Sequence, residues 1–524
     1  MKRLRTALIA LSGFLFGACG SGKIVPPPPS GQFSNASLTG QYAFSMTGLN
    51  PNSAYVAQIG SFAADGNGHV TGGLEDILNL NTGKPASLVS ISGGTYTVQS
   101  NGHGSMTLNA ADGSSLQLSI MLQSNSAGML IETDLDATGN GTFNLQTAGD
   151  FSNASLGHAY VFDVAGVSFS ATSAAPIAII GQTVLNGSGT VSGGVMDTND
   201  GNAPGPSGAT AISPGTYSLD TNGNGTSYGR GVMSFSGRTF AFYVVDATHL
   251  KLLEEDALGG DQGDAVQQAS SMTQNSQFTG SFVYLIGGAV SVRGSQGPVV
   301  RVARFTADGN GGLGAISLDD NNDGGYTHIS QGGNISAATY SVDADNPGSG
   351  RGTFTFKDSG SGTFSAVFYM ISGTQAVVLE TSKGIIGNGP MYAQTGGPFT
   401  LSGSTGTYVT RWTGEQLGYQ TAVPFEETFL GHYALTTSNS SNISGVIDYV
   451  ELGVSSKVTY SNVGLGGTLM INKDGSANNH YQFAIGGSAA TTVNFQAYFA
   501  NPNTLFMICS DSTRTTAGII SPQQ

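Results

Sequence analysis

Basic and acidic residues recur at matching positions along this 524-residue chain. A basic residue between two glycines occurs at His103, Arg230 and Arg351. Each is followed by a strand-like segment that ends in a glutamate, namely Glu132, Glu254 and Glu380. A carboxylate that faces a protein interior needs a cationic partner. We therefore predict the partly buried ion pairs His103–Glu132, Arg230–Glu254 and Arg351–Glu380. A structural role in the core is favoured, and a ligand-orienting or catalytic role is the alternative.

A second candidate site is a calcium loop. Asp319, Asn321 and Asp323 alternate before a glycine, which is the spacing of oxygen ligands in calcium loops. The twelfth loop position is Ser330 instead of the usual bidentate glutamate. Clusters of Asp, Asn and Gly are also ordinary turn chemistry. The sequence therefore leaves two alternatives: the protein binds calcium, or it binds no cofactor.

Catalytic patterns are sparse. The seven histidines are scattered without metal-ligand spacing, and neither His-Glu-x-x-His nor Ser-x-x-Lys occurs. The adjacent acids Glu426 and Glu427 would point to opposite faces of a strand, so they do not form a catalytic pair with each other. The sole tryptophan, Trp412, fits either a core position or a sugar-stacking surface. We expect no catalytic residue, and core packing is favoured for Trp412.

The first residues have the pattern of a secretory signal. Lys2, Arg3 and Arg5 precede an apolar run over 7–16, which is shorter than the roughly 20 residues of a membrane-spanning helix. The following segment, Leu-Phe-Gly-Ala-Cys over 15–19, resembles the lipobox of bacterial lipoproteins. This resemblance implies that residues 1–18 are removed and that Cys19 carries the lipid, so the lipid anchors the protein to a membrane. A Gly after that cysteine, instead of Asp, implies the outer membrane.

Residues 19–33 form the expected tether. Four consecutive prolines, 26–29, favour an extended polyproline II spacer of about 3.1 Å per residue. Removal of 1–18 takes away three positive and no negative charges, so the net charge falls from −15 to −18. A basic footprint for nucleic acid is therefore absent. The other cysteine, Cys509, lies in an apolar run and is expected to be a buried, inert thiol.

Three landmarks repeat in order at intervals of about 120 residues. The first is a Leu-Thr-Gly-type opening at Leu38, Leu156, Phe278 and Leu401. The second is Ala-Asp-Gly-Asn-Gly over 64–68 and 307–311, and the third is a Thr-Tyr pair such as Thr95-Tyr96. The predicted repeats are 34–150, 151–272, 273–396 and a divergent fourth copy, 397–524.

The repeats read as β-structure throughout. Apolar residues alternate with polar ones, as in Tyr42, Phe44 and Met46, and Gly, Asn and Asp interrupt the pattern every eight to twelve residues. We predict an all-β fold of four tandem antiparallel meander units with about eight strands each, as small up-and-down barrels or sandwiches. One propeller-like assembly is the alternative.

These units resemble uncharacterised Gly/Thr-rich repeat lipoproteins of bacterial envelopes, a resemblance that implies no activity. The sequence therefore favours a non-enzymatic, lipid-anchored envelope protein whose modules bind, adhere or scaffold, with a glycan or surface partner. One alternative is a secreted hydrolase with its site in the fourth repeat. The other is a small-ligand carrier with open barrel lumens.

Overall fold

The computed structural model describes residues 32–524 with short gaps. The gaps are residues 53, 80–85, 136, 171–173, 204, 221–227, 270–272, 293–294, 332–334, 347, 359–361, 418–424, 439–441, 453–456, 484–490 and 503. Cys19 and the lipobox lie outside the described residues. No helix among the described residues is long and apolar enough to cross a membrane.

The described chain forms four antiparallel β-sheets in sequence order, which we call barrels 1 to 4. Barrel 1 contains β1 (Thr39–Leu49), β2 (Tyr55–Asp65), β3 (His69–Asn79), β4 (Ser87–Val98), β5 (His103–Ala110), β6 (Ser115–Ser124), β7 (Ala127–Glu132) and β8 (Asn140–Leu145). Barrel 2 contains β9 (Ala159–Phe169), β10 (Ala174–Leu185), β11 (Thr190–Asp200), β12 (Ser207–Ala211), β13 (Gly215–Leu219), β14 (Arg230–Phe235), β15 (Arg238–Asp246), β16 (His249–Glu254) and β17 (Gly259–Gln267).

The second half of the chain repeats this plan. Barrel 3 contains β18 (Thr279–Val292), β19 (Ser295–Asp308), β20 (Leu313–Asn322), β21 (Gly325–Ser330), β22 (Ile335–Val342), β23 (Arg351–Asp358), β24 (Gly362–Ser372), β25 (Gln375–Glu380) and β26 (Ile385–Ala393). Barrel 4 contains β27 (Gly406–Gln416), β28 (Phe425–Leu435), β29 (Ile443–Leu452), β30 (Lys457–Ile471), β31 (Ser476–Phe483), β32 (Thr491–Asn501), β33 (Thr504–Cys509) and β34 (Arg514–Pro522).

All four sheets are up-and-down meanders. Barrels 1 and 4 are closed, and the β10–β11 pairing closes eight strands of barrel 2. In barrel 3 the sheet ends at β21 and β22, and an isolated bridge between Gly312 and Thr339 spans the gap. The all-β prediction and the four meander units are confirmed. The propeller alternative is not observed, because each sheet curls around its own core.

Two of the repeated sequence landmarks have direct structural roles. At the Asp-Gly-Asn-Gly turns, the side chain of Asp65 accepts the backbone N–H groups of Asn67 and His69, and Asp308 repeats this arrangement. Gly66 and Gly68 have φ values of +77° and +103°, which favour glycine. The hydroxyl of Tyr96 donates to the carbonyl of Leu38, so the third landmark fastens the opening segment across the end of the barrel.

The four barrels are joined into a closed ring. Immediately after its last strand, each barrel places a glutamine whose side-chain amide donates to backbone carbonyls of the next barrel; these are Gln146, Gln268, Gln394 and Gln523. Gln523, at the end of barrel 4, donates to the carbonyls of Asn101 and Leu122 in barrel 1, both at 2.8 Å. A head-to-tail contact that returns to its first member closes a cyclic assembly.

Apolar clusters also bury the surfaces between barrels. One cluster joins barrels 1 and 2, a second joins barrels 2 and 3, and a third includes residues of barrels 1, 3 and 4. Ile131, Val283 and Val409 are fully buried members of the third cluster. The barrels therefore pack against one another as one body and are not independent domains joined only by linkers.

Candidate functional site

An aspartate on the third strand of each barrel forms the polar centre of each barrel–barrel contact. These residues are Asp76 on β3, Asp197 on β11, Asp319 on β20 and Asp448 on β29. The first three are fully buried, and Asp448 is 2% exposed. Each faces the next barrel in the ring, so the four contacts can be compared position by position.

The first two contacts use arginine and tyrosine. Arg230 Nε and Nη2 each lie 2.8 Å from a carboxylate oxygen of Asp76, and the Tyr243 hydroxyl donates to the same carboxylate at 2.8 Å. Arg351 and Tyr369 bind Asp197 in the same way, at 2.8 Å and 2.7 Å. Fork-like pairing of guanidinium and carboxylate is among the strongest polar contacts in proteins.

These contacts correct the predicted ion pairs. Arg230 binds Asp76 instead of Glu254, Arg351 binds Asp197 instead of Glu380, and His103 binds Asp448 instead of Glu132. The physical reason is the alternation of side chains along a strand. On β14, Met233 and Phe235 face the core, so Arg230 faces outward. On β16, Leu250 and Leu252 face the core, so Glu254 faces inward.

The predicted acids do lie in the barrel interiors, with other neighbours. Arg238 Nη1 is 2.6 Å from Glu254 Oε1, and Arg301 contacts Glu380. Glu132 interacts electrostatically with Asp134 and with Lys457 of barrel 4. Burial raises the pKa of all three glutamates, that of Glu254 to about 7. We infer structural roles for the three glutamates.

The other two contacts use different donors. Asp319 accepts hydrogen bonds from the hydroxyls of Tyr498 and Tyr326 and lies 2.9 Å from His328 Nδ1. Asp448 lies 2.7 Å from His103 Nε2 and accepts a hydrogen bond from Ser119. Ser119, His103 and Asp448 are the residue types of a hydrolase triad. However, Ser119 donates to the carboxylate rather than the imidazole, so the geometry is not that of an activated serine.

The residues of the predicted calcium site belong to this same set of contacts. Asp319 and Asn321 lie in β20 itself, and Asn321 Nδ2 donates to the carbonyls of Cys509 and Arg514 in barrel 4, both at 2.7 Å. Asn199 makes the equivalent contact with the carbonyls of Glu380 and Ile385.

The Asp-x-Asn spacing therefore serves the contacts between barrels. Among the described residues no three His, Cys, Asp or Glu side chains are grouped to hold a metal. Calcium binding at Asp319, Asn321 and Asp323 stays a prediction, which calorimetric titration would test.

A buried polar cluster lies where barrels 1 and 2 meet. The Lys251 ammonium is 3.1 Å from Ser45 Oγ, 3.2 Å from Thr142 Oγ1 and 3.5 Å from an oxygen of Asp264. Burial lowers the pKa of Lys251, and it also lowers the pKa of Arg411 in barrel 4 to about 10. Lys251 is 1% exposed, so this cluster stabilises the packing of the ring and has little access to substrate.

Glu426 and Glu427, the adjacent acids of barrel 4, are likewise engaged. Glu427 accepts hydrogen bonds from Arg514 Nε at 3.0 Å and from Thr516 at 2.9 Å. Glu426 accepts hydrogen bonds from Thr138 and from the backbone N–H of Leu49, both in barrel 1. Cys509 is fully buried, and burial raises the pKa of its thiol. Trp412 stacks on Phe429 at 4.3 Å in the core of barrel 4.

The barrel lumens are filled by side chains. A pocket inside barrel 2, lined by residues such as Tyr160 and Phe235, has a volume of about 10 Å³. A pocket between barrels 2 and 3, beside Gly166 and Gly287, has about 20 Å³. Volumes of this size hold about one water molecule. They are far below the several hundred Å³ of a small-molecule site.

The four aspartates and the four glutamines were not predicted as contact residues between barrels. A signal was present in both cases. Asp-x-Asn recurs at 197–199 and 319–321, and a glutamine follows the last strand of every repeat. Sequence spacing alone does not say that these residues bind a neighbouring barrel.

Comparisons with known proteins add little. No protein-family model matches the chain, and no curated protein matches it. One similar solved structure is transferrin binding protein B from serogroup B Neisseria meningitidis, at 10% identity over 76% of this chain and 84% of that chain, with a TM-score of 0.21. Another is a double mutant of the vaccine antigen transferrin binding protein B from Haemophilus parasuis Hp5, at 8% identity over 76% and 83%, with a TM-score of 0.18. These values assign no function to this chain.

Proposed function

We propose that this chain is a non-enzymatic, lipid-anchored protein of the bacterial cell envelope, whose ring of four barrels serves binding or scaffolding. The observation that carries the proposal is the use of the buried charged groups. The arginines and aspartates of the barrel contacts pair with one another, and the lumens are packed. What remains for a partner is the outer surface of the ring.

Two sequence features support the anchor. The lipobox-like segment ending at Cys19 and the proline run after it would hold the ring up to roughly 40 Å from the headgroups. The tether joins barrel 1 at Phe33, whose backbone N–H donates to the carbonyl of Ser100, beside the turn between β4 and β5. The β1–β2 and β7–β8 connections lie at the opposite end of the barrel and would face away from the membrane.

Labelling of cells with a tagged fatty acid tests this anchor. We expect the wild-type chain to carry the label and to be found in the membrane fraction. We expect Cys19→Ser to carry no label and to leave the membrane fraction. Retention of Cys19→Ser in the membrane fraction would contradict the anchor. A hydrolase or a lumenal carrier is less well supported, because Glu427 pairs with Arg514, Glu426 is bound by Thr138 and Leu49 of barrel 1, and the barrel 2 pocket is small.

A further inference from the structure

Barrels 2, 3 and 4 each neutralise an interior glutamate with an interior arginine. The pairs are Arg238–Glu254, Arg301–Glu380 and Arg514–Glu427. Barrel 1 keeps the interior glutamate, as Glu132, but residues 34–150 contain no arginine at all. Barrel 1 therefore has the acceptor of this pair without the guanidinium group.

The repeat register locates the place of the missing arginine. Arg301 lies six residues before Ala307, the first residue of the Ala-Asp-Gly-Asn-Gly landmark in barrel 3. Gln58 lies six residues before Ala64, the first residue of the same landmark in barrel 1. Gln58 therefore occupies the position that carries the arginine in barrel 3.

Smaller side chains stand around this position in barrel 1. In barrel 3 the guanidinium group packs over an aromatic ring, with 5.3 Å between Arg301 Cζ and the ring centre of Phe364. Barrel 1 has Leu116 at the place of Phe364, as the pairing of β6 with β7 and of β24 with β25 shows. Because Gln58 and Leu116 are both smaller than their counterparts, they cover less of the space that the guanidinium and the ring fill in barrel 3.

Three buried oxygen atoms in the lumen of barrel 1 have no hydrogen-bond partner in the described structure. They are Gln58 Oε1, Glu75 Oε2 and Glu132 Oε2, on residues that are 7%, 4% and 1% exposed. At the place of Glu75 the other barrels have apolar residues, namely Met196, Leu318 and Ile447. A buried acceptor without a donor is costly. A ligand that carries donors would remove this cost.

The surroundings of Glu75 favour a cation. Burial raises the pKa of Glu75 to about 7, and the neighbouring acids Asp112 and Asp76 raise it further in the same direction. Asp76 is bound by Arg230, whereas Asp112 is exposed on the turn between β5 and β6. Negative charge around a buried carboxyl attracts a cationic group and repels an anion.

We propose that the lumen of barrel 1 binds a guanidinium group between Gln58, Glu75 and Glu132. The proposal rests on the binding role proposed above and names a ligand class for it. A guanidinium is a planar fork of N–H donors, so it can serve acceptors on several strands at once. Glu132 keeps the structural role inferred above and adds its unpartnered oxygen.

The site lies toward the end of barrel 1 that faces away from the tether. Gln58 is near the start of β2, Glu75 is near the end of β3, and Glu132 is the last residue of β7. These strand ends carry the β1–β2 and β7–β8 connections and belong to the outer surface of the ring. A free guanidinium compound, or an arginine side chain of a partner protein, would enter from this end.

Saturation-transfer NMR on the full chain, purified in detergent, tests the site with two probes. Ethylguanidinium stands for a free compound, and the capped peptide Gly-Gly-Arg-Gly-Gly stands for a partner's side chain. We expect saturable binding of at least one probe. Peptide binding assigns a partner's side chain, and binding of ethylguanidinium alone assigns a free compound. The peptide with citrulline in place of arginine has a similar shape without the charge and should not bind detectably.

Two substitutions use residues that barrel 3 already carries at the same places, which favours correct folding. Glu75→Leu removes one acceptor and should weaken binding about tenfold or more, because hydrogen bonds to charged groups are the stronger ones. Gln58→Arg supplies the guanidinium from the chain itself, so it should abolish binding of both probes and raise the melting temperature. A glutamine with a structural role alone would lower the melting temperature when it is replaced.

Asp345→Asn is the matched control. It removes one negative charge, as Glu75→Leu does, but at an exposed position of barrel 3, and it should bind both probes like wild type. The proposal would be overturned by a wild-type chain that binds neither probe, or by wild-type affinity in Glu75→Leu or Gln58→Arg. The fatty-acid experiment on Cys19 is independent of this result, because a chain that binds no guanidinium can still be an anchored scaffold.

Discussion

The contact between barrels 2 and 3 and the contact between barrels 4 and 1 occupy equivalent places in the ring but use different chemistry. In the first, Asp197 is held by a bidentate arginine and a tyrosine. In the second, Asp448 is held by His103 and Ser119. Arginine offers a planar fork of donors that binds both oxygens of a carboxylate, whereas the histidine contact uses a single ring nitrogen.

The two contacts also differ in connectivity. Barrels 2 and 3 are consecutive in the chain, so the peptide backbone keeps them together. Barrels 4 and 1 have no such link, and residues more than 300 positions apart must find each other, as His103 and Asp448 do. We call the contact between barrels 4 and 1 the seam. The seam is therefore the contact at which we expect the ring to open first.

The largest effect is expected at the arginine contact. Asp197→Ala leaves the Tyr369 hydroxyl and two nitrogens of Arg351 without their acceptor, while Asp343 stays 2.9 Å from Arg351 Nη1, so we expect a loss of about 3 kcal/mol of stability. Urea unfolding followed by circular dichroism measures this loss. Asp197→Asn is the matched control: it preserves an acceptor and should cost less. Equal midpoints for wild type and Asp197→Ala would contradict the assigned role.

A smaller effect is expected for the equivalent substitution at the seam. Asp448→Ala removes one acceptor each from His103, Ser119 and the backbone N–H of Asn462, and leaves no buried arginine without a partner, so a loss of about 1–3 kcal/mol is expected. The sole tryptophan, Trp412, is buried in barrel 4, and its fluorescence reports unfolding of that barrel. A loss as large as that of Asp197→Ala would remove the proposed difference between the two contacts.

Deletion of Gln523 and Gln524 is expected to loosen the seam while the barrels stay folded. It removes the two bonds from Gln523 to Asn101 and Leu122 and one from the Gln524 N–H to the carbonyl of Gln123. Each is worth about 1 kcal/mol. Faster hydrogen exchange should be confined to the strands of barrels 1 and 4 that face the seam. Gln146→Ala, at a contact with a backbone link, should cause less local opening.

A further expected effect is a dependence of seam stability on pH. Burial raises the pKa of Glu426 to about 7, and burial together with neighbouring acids raises that of Glu415 to about 8. An acid whose pKa is higher in the folded state contributes its full stabilisation at pH values below its unfolded-state pKa of 4.5. That stabilisation is lost as the pH rises through the folded-state pKa. The seam should therefore be weaker at pH 8 than at pH 5.

Melting curves of wild type and of Glu415→Gln with Glu426→Gln test this dependence. The amides do not ionise, so the variant should lose most of the change in melting temperature between pH 5 and pH 8. A variant that retained the full change would assign it to other groups.

Much of the fold was predictable from local patterns. The two-residue alternation and the turns at Asp65 and Asp308 repeat with a period of about 120 residues, and these features specify four meander units. The burial of Glu132, Glu254 and Glu380 was also predictable from the sequence. Side chains alternate between the two faces of a strand, so a residue an even number of positions from the core-facing apolar residues also faces the core.

Partner choice was not predictable. The sequence by itself determined which side chains lie on which face of a strand, since that depends only on neighbours a few residues away. The tertiary structure alone decided that Arg230 binds Asp76, 154 positions earlier, and that Gln523 returns to barrel 1. Those contacts depend on the angle at which one barrel packs on the next. That angle is set by the summed packing of many side chains, and no single motif records it.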